Sequence, residues 1–392
     1  MKHVVIAGGG FAGVRLARKL RKQKNLKITV VNDTDSFRYS PALYRAAAGF
    51  KAGAAHIPLE WMLLDCQNVT LVQGKVATIN PTRKLMTLAD ATTLEYDYAV
   101  CAFGMVTSYF NIEGIADNAF GVKTIDEVRT LRRHIHESLA ATTAGKQHYV
   151  VIGAGPTGVE VAATIGRYIK AVMKNHGISH PKVEVSLIEA GPRILPQMSE
   201  YSGKKAEQEL RRLGVKIQTN THVTQETKLS LKTSSGTIAT NNVIWTAGAT
   251  NNPFYKENAQ HFHFNERGKV KVNRRLQTHS NIYVCGDNAD TKFSGLAYTA
   301  VHHGSFLARD IKARLAGKPR PSHKDPYPMQ VVPVGEIAIF QYRGIKIAGK
   351  IARGIRRLAD LAGYSDVLGP LKALTIWRHT EDADGEDCVR CR

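Results

Sequence analysis

The sequence predicts an α/β fold made of two parallel-sheet units with a separate C-terminal helical region, and three observations carry that expectation. A short apolar strand runs straight into a Gly-x-Gly-x-x-Gly turn at Gly8, Gly10 and Gly13. The same pattern returns at Gly153, Gly155 and Gly158. After about Pro319 the composition shifts to a proline-containing linker, GKPRPSHKDPYP, and then to a basic amphipathic stretch.

In the first unit His3–Ala7 reads as a buried strand, Ala12 to about Lys24 as a helix and Lys27–Val31 as the next strand. Each glycine answers a need: a tight turn, close approach of backbone to pyrophosphate, and helix-to-strand packing. Phe11 and Ala12 then open a helix whose free N–H groups and positive end suit phosphate. The acidic residue that would hold an adenosine ribose is displaced here. Asn32 takes the aligned position and Asp33 follows one residue late. Either side chain can bond a ribose hydroxyl, and Asp33 serves equally well as a polar strand end. The basic run Arg15–Lys27 reads as a solvated helix face.

The second unit repeats this order: strand Tyr149–Ile152, loop Gly153-Ala154-Gly155-Pro156-Thr157-Gly158, helix Val159 to about His176, and strand Val183–Ile188 ending at Glu189. A basic insertion, Arg167–Lys182, lengthens the gap to Glu189. A glutamate there accepts ribose hydroxyls and repels a 2′-phosphate, with Arg193 close enough to soften the repulsion. NADH is therefore expected to be preferred to NADPH. Two such units define Rossmann-like dinucleotide-binding domains.

The chain has 392 residues, with 54 Lys plus Arg, 33 Asp plus Glu and a net charge of +21. That length suits two or three domains, and 43% hydrophobic with 22% charged residues excludes a disordered or collagen-like chain. No apolar run reaches the ~18 residues of a membrane span, which argues against ion pumping by this chain alone. The N-terminus MKHVVIAGGGFAG does not read as a signal peptide, so a cytosolic location is expected. Five scattered cysteines do not make a disulfide framework. Cys101 and Cys285 lie in apolar strands and read as inert thiols, and the terminal Cys388/Cys391 pair lacks the partners a zinc site needs. The charge predicts an anionic partner: nucleic acid, acidic lipid or a phosphate-bearing cofactor.

These motifs resemble the two-dinucleotide flavoprotein family, in which the first unit binds FAD and the second NAD(P)H. LEYDYAVCAFG at 94–104 is similar to that family's crossing out of the FAD domain, VIWTAG at 243–248 to the crossing out of the NADH domain, and NIYVCGD at 281–287 to its late FAD motif. Within the family the chain resembles type II NADH dehydrogenases, through FRYSPALYRAAAG at 37–49, VTSYFNIEG at 106–114, GPTGVE at 155–160 and LIEAGPRILP at 187–196. The disulfide-reductase branch needs a redox cysteine pair just after the first unit, and none stands there; the sulfide:quinone branch also needs active-site cysteines, for which Cys101 and Cys285, inside apolar strands, read as inert. The resemblance implies an FAD domain at 1–113 and 271–325, an inserted NADH domain at 114–270, and a C-terminal region at 326–392. It places Pro41, Val76, Ala102, Gly104, Gly286 and Asp287 about the FAD, Gly248 at the second crossing, and Glu160 near nicotinamide and flavin. Glu160 has an alternative role as an acidic residue near a helix start, stabilising by ~0.3–1 kcal/mol.

By the same resemblance NADH reduces FAD, and a membrane quinone collects the electrons at the cytoplasmic face of the cell membrane. From the sequence, the tail is expected to form a helix from about Gly344 to Ala362, with Ile347, Ile351, Ile355, Leu358 and Ala362 on one face and Arg343, Lys346, Lys350, Arg353, Arg356 and Arg357 as its cations. Such a helix binds anionic lipid peripherally, or else packs on a core with a solvated basic side. A homodimer is possible. The family's A-Q-x-A-x-Q segment is replaced by Ala297-Tyr298-Thr299-Ala300-Val301-His302, so both glutamines are lost. Tyr298 and His302 share a helical face and are candidates for orienting or protonating the acceptor. Two other readings stay open: a basic flavoprotein of the apoptosis-inducing-factor kind, weakened by the lack of a base-stacking module, and a soluble NADH-dependent reductase of another acceptor.

Overall fold

The computed structural model describes residues 1–141, 145–179, 182–380 and 382. β1 (Lys2–Ala7), α1 (Phe11–Leu20) and β2 (Leu26–Asn32) form the first strand–helix–strand unit, followed by α2 (Ser40–Ala47), β3 (Val69–Gln73) and β4 (Tyr98–Cys101). β1 runs parallel to both β2 and β4, with Val4 opposite Ile28 and Tyr98. Val4, Val5, Ile6 and Ala7 are all fully buried, as a strand covered on both faces requires.

β5 (Met105–Thr107) carries the chain out of this sheet. A second sheet then forms from β6 (Phe120–Gly121), β7 (Lys146–Ile152), β8 (Lys182–Ile188), β9 (Val215–Gln218) and β11 (Asn242–Trp245), with α3 (Pro156–Asn175) after β7 and β10 (Val223–Thr227) between β9 and β11. Its spatial order is β6-β11-β7-β8-β9. The return strand β12 (Ala249–Asn251) pairs antiparallel with β5, so the exit and the return lie side by side. β13 (Gln277–His279) and β14 (Ile282–Val284) complete the first sheet in the order β13-β14-β4-β1-β2-β3.

α4 (Ala297–Leu315) crosses α1 at very close range. Gly304 permits it: a Cβ there would lie 2.5 Å from the Ala12 carbonyl oxygen. The run Arg15–Lys27 is not simply a solvated face. Arg18 is buried, donating to the Met62 carbonyl and, at 2.7 Å, to Asp65, while Arg15 reaches Ser305 of α4 at 2.9 Å. The long guanidinium stems cross apolar surface and end on fixed acceptors.

The tail forms an antiparallel sheet of β15 (Gln330–Val334), β16 (Ile337–Tyr342) and β17 (Ile345–Gly349), then α5 (Lys350–Leu368) and α6 (Pro370–Arg378). The helix expected from Gly344 is therefore corrected. Gly344 and Gly349 have φ of 91° and 115°, left-handed values that interrupt a right-handed helix, and between them Ile347 pairs with Phe340. On α5, Ala352, Arg356, Asp360 and Tyr364 turn inward, so Arg356 is no part of a cationic flank. Ile351 and Leu358 stand out, 73% and 65% exposed. Among the described residues no helix is long and apolar enough to cross a membrane. Cys388 and Cys391 lie outside the described residues.

Candidate functional site

The two glycine loops are built alike, residue for residue. Gly8 and Gly153 take positive φ, 115° and 95°, and press against the chain leaving each sheet, near Ala102 and Ala247. Gly13 and Gly158 pack so tightly that a Cβ would lie 2.0 and 1.8 Å from the Gly8 and Gly153 carbonyl oxygens. At Gly10 and Gly155 a Cβ would meet nothing within 4 Å. Those two faces are open cradles at the N-termini of α1 and α3, where amides point outward. Phe11 anchors the first cradle edge-on against Phe37 at 4.9 Å, and Ala12 is buried. Pro156 supplies the first turn of α3, and Thr157 beside it is exposed.

The residue after each second strand closes its own loop. Asn32 Oδ1 accepts the Gly9 N–H at 2.8 Å, and Glu189 Oε2 accepts the Ala154 N–H at 2.7 Å. Glu189 Oε1 also accepts from Gly191 at 2.8 Å. Asn32 donates through Nδ2 to Thr34, whereas Asp33 points into solvent. Pro41 offers its carbonyl to Arg356 at 2.9 Å. Val76 is buried in one cluster with Ala7 and Val31 beneath the first sheet. Gly104 and Gly248 have φ of 70° and 72°, turning the chain at the two crossings. Lys123 Nζ donates to the Gly248 carbonyl at 2.8 Å.

The Gly286–Asn288 turn sits where these parts converge. Asn288, fully buried, donates to the Gly104 carbonyl at 2.9 Å and to Asn251 Oδ1 at 3.0 Å, touching both crossings. Its own Oδ1 is buried with no partner among the described residues. Burial raises the pKa of Asp287 from its ordinary value despite the pull of Lys269. Open cradles and an unanswered buried acceptor fit a group carrying phosphates and hydrogen-bond donors, as FAD does.

Glu160 is buried on α3, with Oε1 3.4 Å from Arg356 Nη1. Arg356 also meets Asp360 at 3.1 Å, and Asp360 holds Arg45 at 2.6 Å. Burial pushes Glu160 up to about 7, although Arg356 and Arg45 pull it down. Tyr39 stacks on Tyr364 at 4.0 Å beside this network. Arg356, Asn288 and Tyr39 escape sequence reasoning, the first because it hides in a run of cations.

Tyr298 and His302 share a helical face, with rings 4.2 Å apart. His302 Nδ1 donates to the Tyr298 carbonyl at 2.9 Å, which leaves the Nε2 lone pair outermost on the neutral ring. Tyr298 is 36% exposed. Cys101 and Cys285 are buried free thiols; burial pushes Cys285 up to about 12 and Cys101 higher still. Neither is poised as a nucleophile.

Residues 2–304 match the family model for pyridine nucleotide-disulphide oxidoreductases. The chain belongs to that family. It is 30% identical over 348 residues to the type II NADH:quinone oxidoreductase Ndh of Mycobacterium tuberculosis, covering 83% of this chain and 75% of that protein. It is 27% identical over 386 residues to the demethylphylloquinone reductase NdbB of Synechocystis, covering 91% of each. A solved structure of NDH2 from Plasmodium falciparum in complex with NADH superposes with a TM-score of 0.84 over 97% of each chain, at 16% identity, a likeness of fold.

Proposed function

We propose that this chain is a single-chain NADH:quinone oxidoreductase that carries FAD and pumps no protons. The pair of like-built cradles, open at Gly10 and Gly155, carries the reading. The Mycobacterium and Synechocystis relatives support the quinone as acceptor. Bound FAD supplies the two-electron relay between a hydride donor and a quinone.

The residues present divide the work. Gly8, Gly10, Phe11, Ala12 and Gly13 would hold the FAD pyrophosphate, with Asn32 or Asp33 at its ribose and Asp287 at the ribityl or phosphate groups. Gly153, Gly155, Pro156, Thr157 and Gly158 would hold the NADH pyrophosphate, with Glu189 at a ribose. Glu189 already bonds two amides, and each carboxylate oxygen keeps a second lone pair for a hydroxyl. Glu160 would hold or release a proton near the nicotinamide. His302 is assigned to the acceptor side with Tyr298. With Nδ1 bonded to a carbonyl, its neutral ring accepts through Nε2 and donates there only as the cation.

We assign 1–113 and 271–325 to the FAD domain, 114–270 to the inserted NADH domain and 326–392 to a region that meets the membrane from the cytoplasmic face. Exposed Ile351, Leu358 and Leu371, with Lys346, Lys350 and Arg357 nearby in sequence, suit shallow insertion into an anionic surface. Nucleic acid rests on the net charge of +21 alone, and the sequence offers no base-stacking module to go with it.

Stopped-flow kinetics test the reading. The purified protein should be yellow, bleach on mixing with NADH and recover its colour on a second mix with a short-chain quinone, faster than with oxygen. Absence of flavin, or bleaching that quinone does not reverse, refutes it.

A further inference from the structure

α4 carries a second histidine directly after His302, in quite different surroundings. His303 is fully buried. Its Nδ1 accepts the Gly286 N–H at 3.0 Å, at the start of the turn that presents Asp287. A backbone N–H can only donate, so Nδ1 holds a lone pair and the ring proton sits on Nε2. That Nε2–H donates to Asp325 Oδ1 at 3.2 Å. Asp325 belongs to the linker before the C-terminal sheet and is itself held by His323 Nε2 at 2.7 Å and by the Lys292 N–H at 2.8 Å. Burial alone would raise the Asp325 carboxyl, yet the two imidazole hydrogen bonds keep it below its ordinary range.

His303, His323 and Asp325 have the composition of a metal site, with ligand atoms within 4.8 Å of one another. Proton inventory points the other way. A neutral ring that accepts at Nδ1 is protonated at Nε2 and has no lone pair there for a cation. The trio is a completed hydrogen-bond chain that ends on a backbone amide.

We propose that His303 is the positioning residue of the Gly286–Asp287 turn, with Asp325 fixing its tautomer, so that the linker to the C-terminal region sets how firmly the turn holds FAD. The proposal rests on reading that turn as part of the FAD site. Without the imidazole acceptor, the Gly286 amide is a buried donor with no partner. The turn then shifts to find one, and Asp287, the next residue, moves with it. Asp325 acts one step further out, by denying His303 the other tautomer.

The test is FAD titration of the apoprotein, followed by flavin fluorescence, for the wild type and three variants. His303→Phe should raise the FAD dissociation constant about tenfold or more. His303→Asn, whose Oδ1 can replace Nδ1 as acceptor, should stay within about threefold and keep the wild-type flavin midpoint potential, which His303→Phe shifts. Asp325→Asn should fall between them. Equal affinity for wild type and His303→Phe overturns the proposal, as does equal weakening by Phe and Asn, or zinc bound stoichiometrically at this trio. Should His303→Phe fail to fold, Asp325→Asn decides, since an unchanged dissociation constant there also overturns it. A wild-type apoprotein that binds no FAD at all defeats the cofactor reading instead.

Discussion

Arg356 Nη1 lies 3.4 Å from Glu160 Oε1, a buried pair joining α5 of the tail to α3, the helix of the second glycine loop. Because burial raises Glu160 to about 7, its charge changes within the working range. The rate of flavin reduction by NADH should therefore bend near pH 7, and Glu160→Gln should flatten the profile. The folded-state pKa lies above the ordinary value, so the stabilising contribution is complete below about pH 4.5 and is lost as pH rises through 7. A Glu160→Gln enzyme with an unaltered pH profile would remove Glu160 from the reacting centre.

Glu226 gives a stability test away from any cofactor. It is 4% exposed, its Oε2 has no partner among the described residues, and burial raises it to about 8. Folding favours its protonated form, so the protein should lose stability as pH climbs from about 4.5 to 8. Glu226→Gln should recover on the order of 2 to 3 kcal/mol at pH 7 and little at pH 5. Denaturant melts at the two pH values measure it, and an equal effect at both contradicts the assignment.

Gly10→Val fills one of the open cradles. The Cβ meets no protein atom within 4 Å, so the apoprotein should fold and melt within about 1 kcal/mol of the wild type while losing its flavin. Absorbance near the flavin bands after gel filtration reads the outcome, and full retention of colour would overturn the pyrophosphate site.

Glu189→Ala frees the Ala154 and Gly191 amides and removes the negative charge that opposes a 2′-phosphate. The KM for NADH should rise about tenfold, and the preference over NADPH should shrink. Parallel steady-state assays with both nucleotides check this. An unchanged ratio of catalytic efficiencies would assign Glu189 to loop closure alone.

Membrane binding should depend on Ile351, Leu358 and Leu371, which stand 73%, 65% and 84% exposed. Replacing Ile351 and Leu358 together by glutamate should abolish the salt-resistant part of flotation with anionic vesicles and leave the fold intact. Each nearby cation adds about 1 kcal/mol at low salt. Flotation unchanged in high salt places the membrane contact elsewhere. Removing the whole tail is a poorer probe, since Tyr364 and Val367 are buried against the rest of the molecule.

Both glycine loops and their flanking strands were legible in the sequence because local backbone needs dictate them: a positive φ at Gly8 leaves little choice of residue. The tail was misread because Ile347, Ile351 and Ile355 fit a helical period, although Gly344 and Gly349 break it. His303 and Asn288 were illegible for another reason. Asn288 meets Gly104 and Asn251 only when the two crossings come together, and His303 meets Asp325 only when the linker after its helix folds back onto it.

The first sheet is finished by a strand made late. β4 gains its neighbour β14 only after residues 102–281 have been synthesised, whereas all strands of the second sheet come from one uninterrupted stretch. On a growing chain the inserted unit can close by itself while the edge of β4 waits unpaired, a surface open to strand exchange with other chains. Closure by β14 also delivers the Gly286–Asn288 turn, so the nucleotide cradle near Gly8 and the seal on that vulnerable edge are completed in the same step of biosynthesis.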